Sequence, residues 1–167
     1  MFLMLQVVTV FLVAVTMSLV LAHALELPGK MSLNKETYIV QTIYYPGFTY
    51  GGFGEGLGML ATFILPFTTP PHRPAFWLTV TAFAALVGMH AVDWIFTHPV
   101  NKFWMKDTQL EGAAGGFLSL DPMKQGAASE DAGEDWRKLR ARWEYLHLVQ
   151  AIFAVIAFVA LVIAIAT

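Results

Sequence analysis

The sequence holds no cysteine. That excludes disulfides, thiolate nucleophiles and thiolate metal ligands, and it leaves the redox compartment unread. Charge is also scarce. Asp, Glu, Lys and Arg make up 13% of the chain and hydrophobic residues 57%, against about 25% and about 45–50% in water-soluble domains. No Lys or Arg precedes Lys30, and a formal net charge of −2 gives no electrostatic basis for binding nucleic acid. No internal repeat is visible. A mean hydropathy of +0.59 over 167 residues points to a single domain, residues 1–167, whose solvent is lipid.

What the chain does have is long apolar runs. Residues 2–25 carry no charge and can cross a hydrocarbon core that takes about 20 helical residues. The competing reading is a cleaved signal peptide, because Ala22-His23-Ala24 fits a small-residue cleavage pattern. The missing basic flank and the length of the run weigh against it. Leu27-Pro28-Gly29 is expected to stop this first helix. A short amphipathic helix is expected from about Ser32 to Tyr45, and Pro46-Gly47 and Gly51-Gly52 break the chain. The second span, 52–69, is interrupted by Glu55, and its Gly54, Gly56 and Gly58 suit close helix approach. The third span, 75–97, is expected to end at His98-Pro99, because the residue before proline disfavours helical geometry. A polar connection, 98–142, looks loop-like at 112–116 and 125–133 and ends in a basic lead-in. The fourth span is 143–167. The expected fold is all-α: an integral membrane four-helix bundle, antiparallel and up-down, with short amphipathic helices in the connections.

Basic residues set the expected orientation. Lys30 and Lys35 lie in the first connection, and Lys102, Lys106, Lys124, Arg137, Lys138, Arg140 and Arg142 lie in the third. The second has only Arg73. The positive-inside rule puts connections one and three in the cytoplasm and both termini outside. The expectation is a multi-pass protein of a bacterial inner membrane.

With the spans antiparallel, the ionisable residues fall at one depth. His23 and Glu26, Glu55, His90 and Asp93, His98 and Asn101, and Glu144 and His147 all lie at the cytoplasmic ends. An acidic side chain at the bilayer centre costs about 2.5–3.5 kcal/mol, so these groups are expected to face the bundle interior. His23-x-x-Glu26, His90-x-x-Asp93 and Glu144-x-x-His147 each put nitrogen and oxygen donors on one helical face, and Glu55 adds a carboxylate. Together the seven form a candidate site for iron, manganese or zinc. The set is related in chemistry, not in motif, to the carboxylate-bridged metals of four-helix bundles. Haem held by His90 and His147 is a less favoured alternative. In the bland reading, Glu144 and His147 pair with Arg140 and Arg142 to anchor a helix end. Trp94, Trp104, Trp136 and Trp143 then form an interfacial belt.

Four segments carry a family resemblance. His23-Ala-Leu-Glu26-Leu-Pro-Gly-Lys30, Tyr45-Pro-Gly-Phe-Thr49, His98-Pro-Val-Asn-Lys-Phe-Trp104 and Arg142-Trp-Glu-Tyr-Leu-His147 resemble the DUF1772 family of small four-helix membrane proteins, which is grouped with anthrone oxygenases. The chain departs from the family's pattern at Gln150, where relatives often carry Arg. The resemblance implies membrane insertion and oxidation of an anthrone methylene to a quinone carbonyl by dioxygen. It implies a proton-abstracting base and a group that stabilises the resulting phenolate, with His147, Glu144, His98 and Asn101 as candidates. The implied partners are membrane lipid and a hydrophobic, phenolic or quinone-like small molecule. The alternative is a non-catalytic bundle that binds a lipid or another membrane protein.

Overall fold

The computed structural model describes residues 2–43, 46–105 and 136–167, and all the regular structure in them is helical. The helices are α1 (Phe2–Leu25), α2 (Leu27–Ser32), α3 (Lys35–Ile43), α4 (Pro46–Thr68), α5 (Pro74–Val92), a π-helical turn (Asp93–Thr97), α6 (His98–Met105) and α7 (Trp136–Ala166). The loop-like stretches expected at 112–116 and 125–133 lie outside the described residues. Three continuous helical stretches, Phe2–Ser32, Pro74–Asn101 and Trp136–Ala166, are long and apolar enough to cross a membrane. The fourth long helix, α4, is not one of them. It has 23 residues and carries Glu55 and Pro66 within it.

The long helices pack in a ring. α1 lies against α4 and α7, and α5 lies against the same two helices. The inward stripe of α1, Thr9, Val13, Thr16, Val20 and His23, steps by three and four residues, as a helix seam requires. The facing stripe of α7 is made of small residues, Ala151, Ala154, Ala157, Ala160 and Ala164. It lets α5 approach closely through Ala82 and Ala85. Buried hydroxyls are satisfied within their own helices: Thr9 donates to the Leu5 carbonyl (2.7 Å), Thr16 to that of Leu12 (3.1 Å) and Thr62 to that of Gly58 (2.7 Å). The outward faces expose Leu3, Met4, Phe11, Phe67, Trp77 and Ile152, a surface suited to lipid.

The expected breaks are not where the helices end. Pro28 stands in the first turn of α2, where its missing N–H has no helical partner to lose. Backbone bonds from Glu26 to Ala22 (3.2 Å) and from Lys30 to Glu26 (3.0 Å) carry the helix past it. Pro46 likewise opens α4 several residues before the expected start. His98 is helical (φ −58°, ψ −39°) and donates its N–H to the Asp93 carbonyl, one residue further back than an α-helix uses. That wide turn gives the Pro99 ring room beside the preceding carbonyls, so the helix continues to Met105. α7 begins at Trp136, absorbing the basic lead-in. Both ends of the expected polar connection are therefore helical.

Among the α4 glycines at positions 54, 56 and 58, only Gly58 lies at a close approach. A Cβ there would meet Leu12 Cβ at 3.5 Å, whereas Gly54 and Gly56 face open space. A second core, separate from that of the long helices, joins Tyr38, Val100, Trp104, Leu139 and Trp143, with Trp136 packed on it. Trp104 and Trp143 are thus buried inside the protein rather than in an interfacial belt.

Candidate functional site

The site lies where the two cores meet. His23 follows the last turns of the α1 seam, and its ring packs edge-on against Trp143 at 4.9 Å between centroids. One residue on, Ala24 belongs to the core of the long helices. Asn34 caps α3 by accepting from the Thr37 N–H at 2.9 Å, and that start places Tyr38 over α7. Glu144 is wholly buried. Its Oε1 accepts a 2.9 Å hydrogen bond from the Tyr38 hydroxyl. Its Oε2 lies 3.5 Å from His23 Nε2 and has no hydrogen-bond partner among the described residues.

Lys30 is buried beside them. Its ammonium stands 3.0 Å from His23 Nδ1 and 3.3 Å from Nε2, and 2.9 Å from Oε2 of Glu26, whose side chain is half-exposed. An ammonium this close to both nitrogens of one ring lies over the ring face, so the contact does not fix the His23 tautomer. The His147 tautomer is fixed by its partner. Its Nδ1 lies 2.8 Å from the Trp143 carbonyl, which can only accept. Nδ1 therefore carries the proton and Nε2 keeps its lone pair. The His147 ring lies 4.3 Å from that of His23 and 4.1 Å from that of Trp143, centroid to centroid.

Arg140 holds this end together. It donates to the carbonyls of Leu33 (2.9 Å) and Lys30 (3.3 Å), which lie at the C-terminus of α2, where cations are favoured. Its guanidinium carbon lies 4.7 Å from the Trp136 ring centre and 5.7 Å from that of Tyr38. Arg140 thus does not form the expected anchoring pair with Glu144. One helical turn separates the two, but Arg140 is directed to α2 and Glu144 to Tyr38 and His23.

A second polar arm runs towards α5. Trp143 Nε1 donates to Asn101 Oδ1 at 2.9 Å, and Asn101 Nδ2 lies 3.4 Å from His98 Nδ1. Gln150 donates to Thr97 Oγ1 at 2.9 Å and hydrogen-bonds Asp93, which lies within electrostatic reach of His98. Glu55 in turn lies within reach of Asp93. His90 is half-buried on α5.

The structure therefore brings His23, Glu144 and His147 together, with Glu26 at the rim, and groups Glu55, Asp93, His98 and Asn101 on the other arm. The seven expected metal ligands do not converge. Among the described residues no group of three or more His, Asp and Glu could hold a metal ion. The reason is local. A buried ammonium sits on His23, a backbone carbonyl takes one nitrogen of His147, a tyrosine takes one oxygen of Glu144, and Glu55 and Asp93 belong to α4 and the π-turn. Missed from the sequence were Tyr38, Lys30, Arg140, Trp143 and Gln150 as members of the network. Lys30 had a usable signal, since it follows Glu26 by four residues and His23 by seven, the spacing of one helical face. Tyr38 had none.

A family model described as anthrone oxygenase matches residues 2–160. No curated protein and no solved structure matches the chain.

Proposed function

Because the chain belongs to the anthrone oxygenase family, we propose that it is a membrane-embedded oxygenase-like enzyme. Its substrates are hydrophobic phenolic or quinone-like molecules reaching the site from lipid. For an anthrone-type methylene the conversion is CH2 + O2 → C=O + H2O. Two C–H bonds break, one oxygen atom enters the carbonyl, the other leaves as water, and dioxygen takes all four electrons, so no further reductant is needed.

The single observation that carries this reading is the state of His147. Its Nδ1–H is held by the Trp143 carbonyl, which leaves an Nε2 lone pair within a largely buried polar nest. In this reading Nε2 takes the first proton from the activated methylene. The Lys30 ammonium stabilises the oxygen on which negative charge then develops. Glu144, held by Tyr38 and close to His23, returns a proton to the departing oxygen. Asn101 and His98 act through Trp143, by fixing its indole beside both histidines, and are positioning residues rather than bases. The polar end faces the cytoplasm.

Detergent-purified protein supplied with anthrone tests this. Dioxygen uptake should exceed the spontaneous rate, with anthraquinone formed in step. His147→Gln should lower the enzyme-dependent rate by about 10²–10⁴-fold, the range for loss of a general base, while helix content stays unchanged. Equal rates in the two proteins would remove His147 from the mechanism. A second reading, a non-catalytic bundle binding a lipid or protein, is favoured by the pairing of Lys30 with Glu26 and of Tyr38 with Glu144. It predicts no enzyme-dependent uptake at all.

A further inference from the structure

We propose that the outer face of α7 binds an anionic phospholipid, with Lys138 and Arg142 on its headgroup phosphate and the apolar residues beyond them on its acyl chains. Lys138, Arg142, Tyr145, Val149, Ile152 and Ile156 are all exposed. They follow one another at steps of four and three residues, the spacing of a single stripe along a helix. Two cations open the stripe, a tyrosine follows, and branched aliphatic side chains fill the rest. The alanine face of α7 is the one that packs into the bundle. The site is independent of the proposed chemistry.

The depth of the two cations matches a headgroup. Residues 146–166 carry no Asp, Glu, Lys or Arg. About 20 helical residues rise about 30 Å, the thickness of a hydrocarbon core. At about 1.5 Å per residue, Arg142 then stands about 6 Å outside that core and Lys138 about 12 Å outside it. The headgroup layer on each side is about 5–8 Å deep. Arg142 therefore lies within it, and Lys138 reaches down into it on its long stem. Tyr145 lies at the boundary, where its hydroxyl donates to ester or phosphate oxygens and its ring stays in the apolar layer.

Charge selects the occupant. The neighbouring cations are engaged elsewhere. Arg140 donates to carbonyls at the end of α2, and the guanidinium carbon of Arg137 lies 5.8 Å from the Trp136 ring centre. Lys138 and Arg142 have no ion-pair partner among the described residues. Glu144, the one acid of α7, is turned inward to Tyr38 and His23. A second copy of the chain, inserted the same way, would set Lys138 and Arg142 against their own counterparts, and like charges in contact are unfavourable. A zwitterionic lipid brings a cation of its own beside the phosphate. An anionic headgroup brings none, and each basic residue near an anionic surface adds about fivefold to binding.

Native mass spectrometry of the purified full-length chain, titrated with phosphatidylglycerol or with phosphatidylcholine of the same acyl chains, tests this. The first phosphatidylglycerol should bind about 25-fold more tightly than the first phosphatidylcholine, a gain of about fivefold for each cation. Lys138→Gln with Arg142→Gln should abolish that preference while helix content stays unchanged. Lys35→Gln with Arg73→Gln removes as much charge from exposed positions off the stripe and should leave the preference intact. Equal binding of the two lipids by the wild-type protein, or equal loss in both double variants, would overturn the proposal. So would displacement of the lipid by an equal concentration of glycerol phosphate, which would show a phosphate site that makes no use of acyl chains. A dimer abolished by Ile152→Ser with Ile156→Ser would overturn it too, by giving the stripe to a second copy.

Discussion

The Tyr38 hydroxyl donates a 2.9 Å hydrogen bond to Oε1 of Glu144 across 106 positions of sequence, tying the short helix α3 to the middle of the polar nest. Both side chains have no exposed surface, and a hydrogen bond to a charged group contributes about 1.5–3 kcal/mol. Tyr38→Phe keeps the ring that packs on Trp104 at 5.1 Å and removes only the hydroxyl. It should therefore lower stability by that amount in a reversible unfolding titration. A double-mutant cycle with Glu144→Gln should return a coupling of the same sign. Additive single effects would show that the bond is geometrically present but energetically silent.

The indole of Trp143 donates to Asn101 at 2.9 Å while its ring contacts both histidines. Trp143→Phe should cost about 1–3 kcal/mol by leaving the buried Asn101 oxygen without its donor. It should also lower dioxygen uptake more than stability alone explains, because His23 and His147 lose a shared wall. Uptake per folded molecule, with the folded fraction measured separately, checks this.

The close contact of α5 with α7 is set at Gly88, where an added Cβ would meet Phe153 ring atoms at 3.0, 3.2 and 3.4 Å. Overpacking of this kind costs about 1–3 kcal/mol, more than the gain of up to about 1 kcal/mol in helix propensity. Gly88→Ala should therefore destabilise, and adding Phe153→Leu should restore much of the loss. Gly58→Ala meets Leu12 at an ordinary 3.5 Å and should be neutral or stabilising. Thermal midpoints of the four proteins in one detergent decide the matter.

Pro99 requires the π-turn at 93–97, and the π-turn sets the direction in which His98 and Asn101 point. Pro99→Ala removes the ring and restores an N–H. The turn should then relax towards an α-helix and gain about 1 kcal/mol or more. A one-residue change of register rotates the α6 segment beyond it by about 100°, so Asn101 should leave Trp143. The expected result is a more stable and less active protein. Higher stability with unchanged uptake would show that the π-turn has no bearing on the site.

Much of this fold was legible as apolar runs. The positions of the long helices and their all-helical class follow from charge-free stretches such as residues 2–25, whose length suits a membrane. The helix ends were not legible. Pro28 and Pro99 read locally as terminators, yet a proline in a first turn loses no hydrogen bond, and a widened turn absorbs a proline further along. The meeting of His23, Glu144 and His147 was partly visible, because Glu144 and His147 share a helical face and His23 ends the antiparallel neighbour. Glu26 shares the expected spacing with His23 but points to the rim, where it pairs with Lys30. Tyr38 was invisible, since nothing in a short amphipathic segment marks a partner 106 residues away. Trp143 read as a belt residue, a role that its burial overrides, and Lys30 read only as an orientation signal, with no hint of its place beside His23.

Proton removal by a base held in the nest is the step on which the proposed turnover depends most, and hydrogen exchange of the substrate isolates that step from oxygen chemistry. Anthrone in deuterated buffer, without dioxygen and with the purified protein, should exchange its methylene hydrogens for deuterium well above the solvent rate, as monitored by proton NMR. His147→Gln should return exchange to the solvent rate. Exchange no faster with the wild-type protein than in buffer alone would contradict the account.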